Sequence, residues 1–405
     1  MKVLHTISGI WINTGGPAES VPLLCSSLVE NKNEVTIATL KGNLSLEAIE
    51  CKKKGVNLRL YSHVKSCSLS IGLAIFRLSF RMNLIHNHGL WQPTNWFAGL
   101  IAKYTQKPLV VSPRGCLEPL RLNHSRWKKK ITSFLIDDHY LKYSSCIHVC
   151  SELEYQSVRL YGLKNPVAII PNAVRYSPSD DEKLYYRNNF FLRYPNLENK
   201  KILLFLSRLS WEKGLPFLAE TLEAVSDKFS DWHLLISGSG IESYEVEIKS
   251  IFNKKNLANQ VSWTGHVSGN EKLEVLSAAN LFILPTHSEN FGIAVAEALS
   301  FGIPVITTHG APWGDLLKYK CGWWVRLEKN NLVIALLEAL QLSDKQLAIM
   351  GENGRKLIAS KYTWEKAGGA MSEVYHWIIH GGNAPDSIKF YNAEEYQSFL
   401  KEIKK

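Results

Sequence analysis

Short apolar runs bounded by Gly, Pro, Asn and Ser alternate with longer amphipathic stretches from one end of the chain to the other. In the first half the strand-like runs fall at 2–7, 34–39, 84–88, 108–112, 146–150 and 167–171. Helical periodicity fills most of the gaps, as over 18–31 and 127–143. In the second half the runs fall at 201–207, 232–237, 260–265, 280–285, 303–307 and 322–326. Segments such as ILLFL, LFILP and IPVIT are apolar without alternation, which is the pattern of parallel strands covered on both faces. Regular alternation of β and α units predicts an α/β fold with doubly wound parallel sheets. The series restarts after the polar stretch 176–199. The expected organisation is therefore two Rossmann-like domains facing across a cleft, 1–190 and 191–378, followed by a tail at 379–405. In such sheets, ligands bind beyond the carboxyl ends of the strands.

Composition narrows the class. Of 405 residues 45% are apolar and 21% charged, enough for two cores and unlike a disordered or fibrous chain. No run approaches the ~20 apolar residues of a membrane span. The opening MKVLHTI moves straight into a strand pattern, so a cytoplasmic protein without a secretory leader is expected. Seven cysteines (Cys25, Cys51, Cys67, Cys116, Cys146, Cys150 and Cys321) form no C-x-x-C pair, which favours reduced core thiols over a disulfide scaffold or zinc site.

The net charge of +10 is unevenly divided: residues 1–180 hold 22 Lys and Arg against 11 Asp and Glu, a net +11. The excess gathers at Lys52, Lys53 and Lys54 and in RWKKK, with Arg126, Lys128, Lys129 and Lys130. One reading is a solvated face. The other is attraction to an anionic membrane surface, where a lipid-linked acceptor would sit. No zinc-finger, RNP or basic-zipper pattern accompanies the charge, so no nucleic-acid partner is expected.

Three segments carry chemistry. THSENFGIAVAEAL follows the strand LFILP and holds two acids, Glu289 in a strand-to-helix turn and Glu297 in a helix apolar nearly all round. A carboxylate in that setting needs a partner or a ligand. Backbone N–H groups over Asn290, Phe291, Gly292 and Ile293 would be available to oxygens of a bound molecule. LSRLSWEKG follows ILLFL and places Arg208 and Lys213 beyond a strand, where a fork and a mobile point charge can bracket a diphosphate. GIWINTGGPAE puts Gly15 and Gly16 before a helix, a plausible phosphate-approach loop that lacks the spacing G-x-G-x-x-G.

Together these segments resemble the retaining glycosyltransferases of family 4, two-domain enzymes with the GT-B fold. The acid pair within SENFGIAVAEAL is the most specific mark. It is joined in order by Gly15-Gly16, His86-Asn87-His88-Gly89, Pro171-Asn172, Arg208 with Lys213, and GHVS at 265–268. The segments SPRGCLEPL and Tyr362-Thr363-Trp364 look like a branch associated with bacterial surface-polysaccharide assembly. The resemblance implies that Arg208 and Lys213 hold the diphosphate of a nucleotide-sugar donor, while Glu289 and the neighbouring N–H groups grip its sugar. It further implies that Glu297 accepts from ribose hydroxyls, that Val267 contacts the base and that Gly15 and Gly16 admit the diphosphate. His88 is a candidate donor contact, with the alternative that it is a satisfied core histidine. Many relatives carry a histidine near the position of Arg114; an arginine cannot be a base and would bind phosphate or an acidic sugar instead.

With no isolated D-x-D motif, neither metal nor other cofactor is expected besides the co-substrate. Two rivals remain. A nucleotide-sugar epimerase of related fold would need carboxylates on the first domain, where Glu118 is the obvious candidate; a non-catalytic sugar- or membrane-binding module would not need the acids and cations above.

Overall fold

The computed structural model describes residues 1–12, 15–63, 68–123, 132–174, 177–394 and 396. The chain divides into two compact units, Met1–Ala173 with Trp364–Lys405, and Val174–Thr363.

The first unit is built on an eight-stranded sheet. Its strands are β1 (Lys2–Thr6), β2 (Glu34–Leu40), β3 (Asn57–Tyr61), β4 (Leu84–His88), β5 (Leu109–Ser112), β6 (Cys146–Val149), β7 (Val167–Ile169) and β14 (Ile388–Lys389). They lie in the order β14-β7-β6-β5-β4-β1-β2-β3, all parallel except β14, which runs antiparallel to β7. Successive strand residues face opposite sides of the sheet. Val3, Leu84 and Val110 accordingly enter one core, and Leu4, Ile85 and Val111 the other.

The second unit holds β8 (Lys201–Leu206), β9 (Trp232–Ser237), β10 (Val261–Gly265), β11 (Leu281–Leu284), β12 (Val305–Thr308) and β13 (Gly322–Val325), all parallel, in the order β10-β9-β8-β11-β12-β13. Leu203, Leu204, Phe282 and Ile283 are fully buried, as continuous apolar runs demand. In each unit the strand order reverses at one place: between β1 and β4 in the first, and between β8 and β11 in the second. Doubly wound sheets bind ligands at such a reversal, because the loops on either side turn away and leave a crevice.

Three expected boundaries need correction. The segment placed around the divide near 190 is a helix of the second unit, Asp180–Arg193. Ser179 and Glu182 cap it reciprocally. Arg193 pairs with Glu271 at 2.6 Å, and Lys183 donates to the Phe301 carbonyl at 2.6 Å. Conversely, the helix Trp364–His380 belongs to the first unit and not to the second. Gly368 allows that helix to lie against the helix Gly16–Glu30, since a Cβ there would stand 2.1 Å from Ser27 Oγ. Ser27 Oγ also donates to the Trp364 carbonyl at 2.6 Å.

Finally, the segment expected as a tail supplies β14, and Lys389 reaches Glu152 at 2.9 Å. The predicted helix 127–143 lies partly outside the described residues; its described end is a π-type turn, Ser133–Asp137, running into Asp138–Tyr143. Six cysteines are free thiols, as expected, and Cys67 lies outside the described residues.

Candidate functional site

In the second unit the site grows from loops that leave β8 and β11. After β8 the chain makes a single 3₁₀ turn, Trp211–Lys213, and reverses at Gly214, whose φ of 70° is left-handed. A Cβ at Gly214 would stand 1.9 Å from the Pro285 carbonyl oxygen, so only glycine lets the two loops pack this closely. They are then laced together. Thr286 Oγ1 donates to the Glu212 carbonyl at 2.9 Å, and the His287 N–H donates to the same oxygen at 2.7 Å.

This lacing brings the Lys213 ammonium to within 2.5 Å of the Glu289 carboxylate, although 76 residues separate them. The lysine side chain is 6% exposed and the glutamate 17%. The Glu289 backbone is held by its N–H to the Gly310 carbonyl at 2.8 Å. Arg208, on the same β8 loop, is exposed, and among the described residues no carboxylate lies within ion-pair distance of it.

Gly292, at φ 83°, opens the helix Ile293–Ser300. Trp313 Nε1 donates to the Phe291 carbonyl at 2.6 Å and fixes this turn. Phe291 and Gly292 are buried, and Asn290 and Ile293 half-buried. Glu297 has a partner within the fold. Lys272, from the helix Gly269–Ala278, lies 2.5 Å from its Oε1. Val267, just beyond β10, lines a small pocket with Thr264, Arg193 and Glu271. The site residues expected from LSRLSWEKG and THSENFGIAVAEAL thus come from the turns beyond two strand ends of one sheet and from the helix that follows the second.

The first unit holds its polar groups differently. Gly15, at φ 78°, precedes the helix Gly16–Glu30, as expected of the loop after β1. Arg114 also has a left-handed backbone, φ 56°, just beyond β5, and is 8% exposed. Its guanidinium donates from Nη1 to Asn172 Oδ1 at 3.0 Å and to Cys150 Sγ at 3.5 Å, and from Nη2 to His88 Nδ1 at 3.3 Å. Among the described residues no carboxylate pairs with it. His88 is buried with both ring nitrogens engaged, the second by His5 at 2.9 Å. It therefore stands behind Arg114 as a satisfied interior histidine, the second of the two readings its sequence allows and not the donor contact.

Sequence reasoning missed His5, His148, Ser112 and Tyr375, which join His86 and His88 in one buried cluster. Burial, reinforced by the Arg114 charge, holds His5 and His148 down at about 3, and His86 and His88 well below their ordinary value. His5, His86 and His88 each bring a ring nitrogen within 4.8 Å of the others, close enough to suggest a metal triad. Their lone pairs are, however, already spent on hydrogen bonds. Glu154 was also missed. Burial raises its carboxyl to about 7, while it accepts from the Gly115 N–H at 2.6 Å and the Cys150 N–H at 2.8 Å, so it pins the loop that carries Arg114. Glu118 lies 3.8 Å from Arg121, and Arg126 and Lys128, Lys129 and Lys130 fall outside the described residues.

Each unit is a doubly wound sheet with polar side chains gathered at its strand-order reversal, where such folds bind ligands. The comparisons sharpen that class. Residues 14–177 match the family Glycosyltransferase Family 4, and residues 187–357 match Glycosyl transferases group 1. The chain belongs to the GT-B glycosyltransferases of family 4 type. It is 34% identical over 125 residues to 2-deoxystreptamine N-acetyl-D-glucosaminyltransferase of Niallia circulans, a match spanning 30% of this chain and 31% of that relative. It is 24% identical to an uncharacterized 41.2 kDa protein in the cps region of Klebsiella pneumoniae, over 84% of this chain and 90% of the relative. The crystal structure of Anabaena HepE with UDP and glucose superposes with a TM-score of 0.73 at 15% identity, over 92% of this chain and 98% of that one, and shares the fold.

Proposed function

We propose that this chain moves a hexosyl unit from a nucleotide-diphosphate sugar to a glycan acceptor, with retention of anomeric configuration and without a metal. The observation that carries the reading is the pair of buried Lys213 and half-buried Glu289, the lysine on a loop shared with the exposed Arg208, at the strand-order reversal of the second unit. Charge develops on the leaving diphosphate as the glycosidic bond breaks, through an oxocarbenium-like state. A cation already oriented by a carboxylate stabilises that charge without reorganising, an effect of about 2.7–4 kcal/mol per well-placed donor. Lys213 supplies the fixed cation and Arg208 a fork for two phosphate oxygens.

Glu289, committed to Lys213 through Oε1, keeps Oε2 for a sugar hydroxyl; Glu297, committed to Lys272, keeps an oxygen for the ribose. Neither needs to be a nucleophile, since the leaving phosphate can take the acceptor proton on the face it vacates. A UDP and glucose complex of a protein of the same fold favours a uridine nucleotide as the first donor to try.

The acceptor is read as lipid-linked, in surface-polysaccharide assembly at the inner face of the plasma membrane. No helix among the described residues is long and apolar enough to cross a membrane. Residues 51–117 hold ten Lys and Arg and no Asp or Glu. Within that stretch the helices Leu69–Ser79 and Pro93–Tyr104 expose Leu69, Leu73, Leu100 and Tyr104, with Phe80 just beyond. Apolar side chains on a purely basic background suit an anionic leaflet, each cation contributing about 1 kcal/mol. Sedimentation with vesicles of rising anionic lipid content should show salt-sensitive binding; equal binding to neutral vesicles would return these cations to a solubilising role.

Incubation with UDP-sugars and acceptor glycans, with and without EDTA, tests the reaction. An α-linked product from an α-linked donor, unaffected by chelation, is expected. An inverted product, loss of transfer with EDTA, or epimerised sugar without transfer would each overturn the assignment.

A further inference from the structure

The buried polar cluster of the first unit has only one consistent arrangement of protons. At one end stands Arg114, whose guanidinium can only donate; its Nη2 lies 3.3 Å from His88 Nδ1. At the other stands the Ile170 carbonyl, which can only accept; it lies 3.0 Å from His148 Nε2. Between them every contact is within hydrogen-bond distance. His88 Nε2 meets His5 Nδ1 at 2.9 Å, and His5 Nε2 meets the Tyr375 hydroxyl at 3.4 Å. Tyr375 meets His86 Nδ1 at 2.6 Å, His86 Nε2 meets Ser112 Oγ at 2.7 Å, and Ser112 meets His148 Nδ1 at 2.7 Å.

Because Arg114 donates, His88 must accept at Nδ1 and donate from Nε2. The same requirement passes along: His5, Tyr375, His86, Ser112 and His148 each accept from one neighbour and donate to the next. The Ile170 carbonyl demands the same direction independently. All four imidazoles are therefore neutral Nε2–H tautomers. A proton added to His88 or His5 would set donor against donor, and one added to His86 or His148 would leave the hydroxyl proton of Tyr375 or Ser112 without its acceptor; a metal held by His5, His86 and His88 would take lone pairs the chain already uses.

We propose that this one-way chain is a positioning device for Arg114, holding its guanidinium in register for an anionic group of the substrate, with Tyr375 of the helix Trp364–His380 as the central link. Three of the five guanidinium N–H groups are engaged by Asn172, Cys150 and His88. The fork can neither rotate nor be drawn off by a protein carboxylate. The Nε–H, buried and without an acceptor among the described residues, stands with the remaining Nη2–H as the pair of donors an oxyanion would complete. Deleting the Tyr375 hydroxyl cuts the chain in the middle and touches nothing of the arginine directly. The inference rests on the reading that Arg114 meets substrate.

The test uses the full chain in two arms. In the first, ¹⁵N spectra of uniformly labelled protein at pH 7 should show the four interior histidine rings as neutral Nε2–H tautomers, assigned by single His→Asn variants. In the same samples the Arg114 Nη signals should be resolved by slow rotation in the wild type and should collapse in Tyr375→Phe. An Nδ1–H tautomer or imidazolium among the four, stoichiometric zinc binding to them, or unchanged Arg114 signals in the variant overturns the proposal. This arm needs no enzyme activity, so it stands apart from failure of the transfer reaction.

In the second arm, Tyr375→Phe and Arg114→Lys should each lower kcat/KM at least tenfold, and the double variant should be no worse than Arg114→Lys, as for residues acting through one another. Losses that multiply, or wild-type kinetics in Tyr375→Phe, contradict it.

Discussion

The two units share one strand plan and meet the same problem, polar side chains gathered where the strand order reverses, in opposite ways. The second unit uses charge: Lys213 with Glu289, and Lys272 with Glu297, each at 2.5 Å. The first uses neutral groups: four imidazoles, a phenol and a serine hydroxyl each accept one hydrogen bond and donate the next, from Arg114 to a carbonyl. An ion pair at a half-open site can exchange its partner for a phosphate or hydroxyl oxygen with little reorganisation. A fully buried chain cannot exchange partners without leaving a polar group unsatisfied, which costs about 1–3 kcal/mol each time. The charged site is thus suited to bind and release, and the neutral one to hold still.

Acid should separate the units most sharply. An unfolded chain protonates His5, His86, His88 and His148 below their ordinary 6.5, which the folded unit refuses because burial holds His5 and His148 at about 3 and the other two well below their ordinary value. Their contribution to stability is complete above pH 6.5 and is lost as pH falls towards 3. Glu154 works in the other sense: raised in the fold from 4.5 to about 7, its contribution is complete below pH 4.5 and is lost as pH rises through 7. Four histidines less one carboxyl leave about three protons, or about 4 kcal/mol per pH unit near pH 5.5. Calorimetry from pH 7.5 to 5 should show the transition of the first unit falling steeply while that of the second moves little. Equal shifts in both would break the contrast.

Next in size, Arg208→Ala and Lys213→Ala should each slow transfer at least ~100-fold. They should differ in stability: the exposed Arg208 can be lost without a change in Tm, whereas losing Lys213 strands Glu289 at a cost of about 3 kcal/mol. Near-normal transfer by either variant removes the diphosphate clamp. Gly214→Ala, which forces a Cβ against the Pro285 carbonyl in a left-handed turn, should destabilise the second unit by about 2 kcal/mol or more, read by urea unfolding. A neutral result would mean that the β8 and β11 loops are not held as described. The smallest effect belongs to Glu297→Gln. A ribose contact is uniform binding, so nucleotide affinity should fall about fivefold to tenfold with kcat kept, while Glu289→Gln lowers kcat. Unchanged nucleotide affinity in the Glu297 variant would end that division of roles.

Much of this architecture was legible because it is written in neighbouring residues. The runs ILLFL and LFILP read as buried parallel strands, and LSRLSWEKG and THSENFGIAVAEAL name Arg208, Lys213, Glu289 and Glu297 by their distance from a strand end. The capping box at Ser179 and Glu182 is also written there, within SPSDDE, and marks a helix start in a segment whose polarity reads as a linker. The edge strand Asn57–Tyr61 was not legible, since NLRLY is largely exposed and lacks a buried run; nor was Ile388–Lys389, which is too short to show a period.

What the sequence by itself determined is therefore the class of fold, the pair of repeated sheets and the residue types beyond their strands, all set by short-range hydrophobic periodicity and turn chemistry. Only the tertiary structure decided who partners whom. It returned the helix Trp364–His380 to the first unit and paired Glu297 with Lys272, 25 residues away. It also collected His5, His86, Ser112 and His148 from four strands and Tyr375 from a helix near the other end of the chain. A histidine's tautomer and an arginine's aim depend on groups close in space and remote in sequence, and no local pattern carries that information.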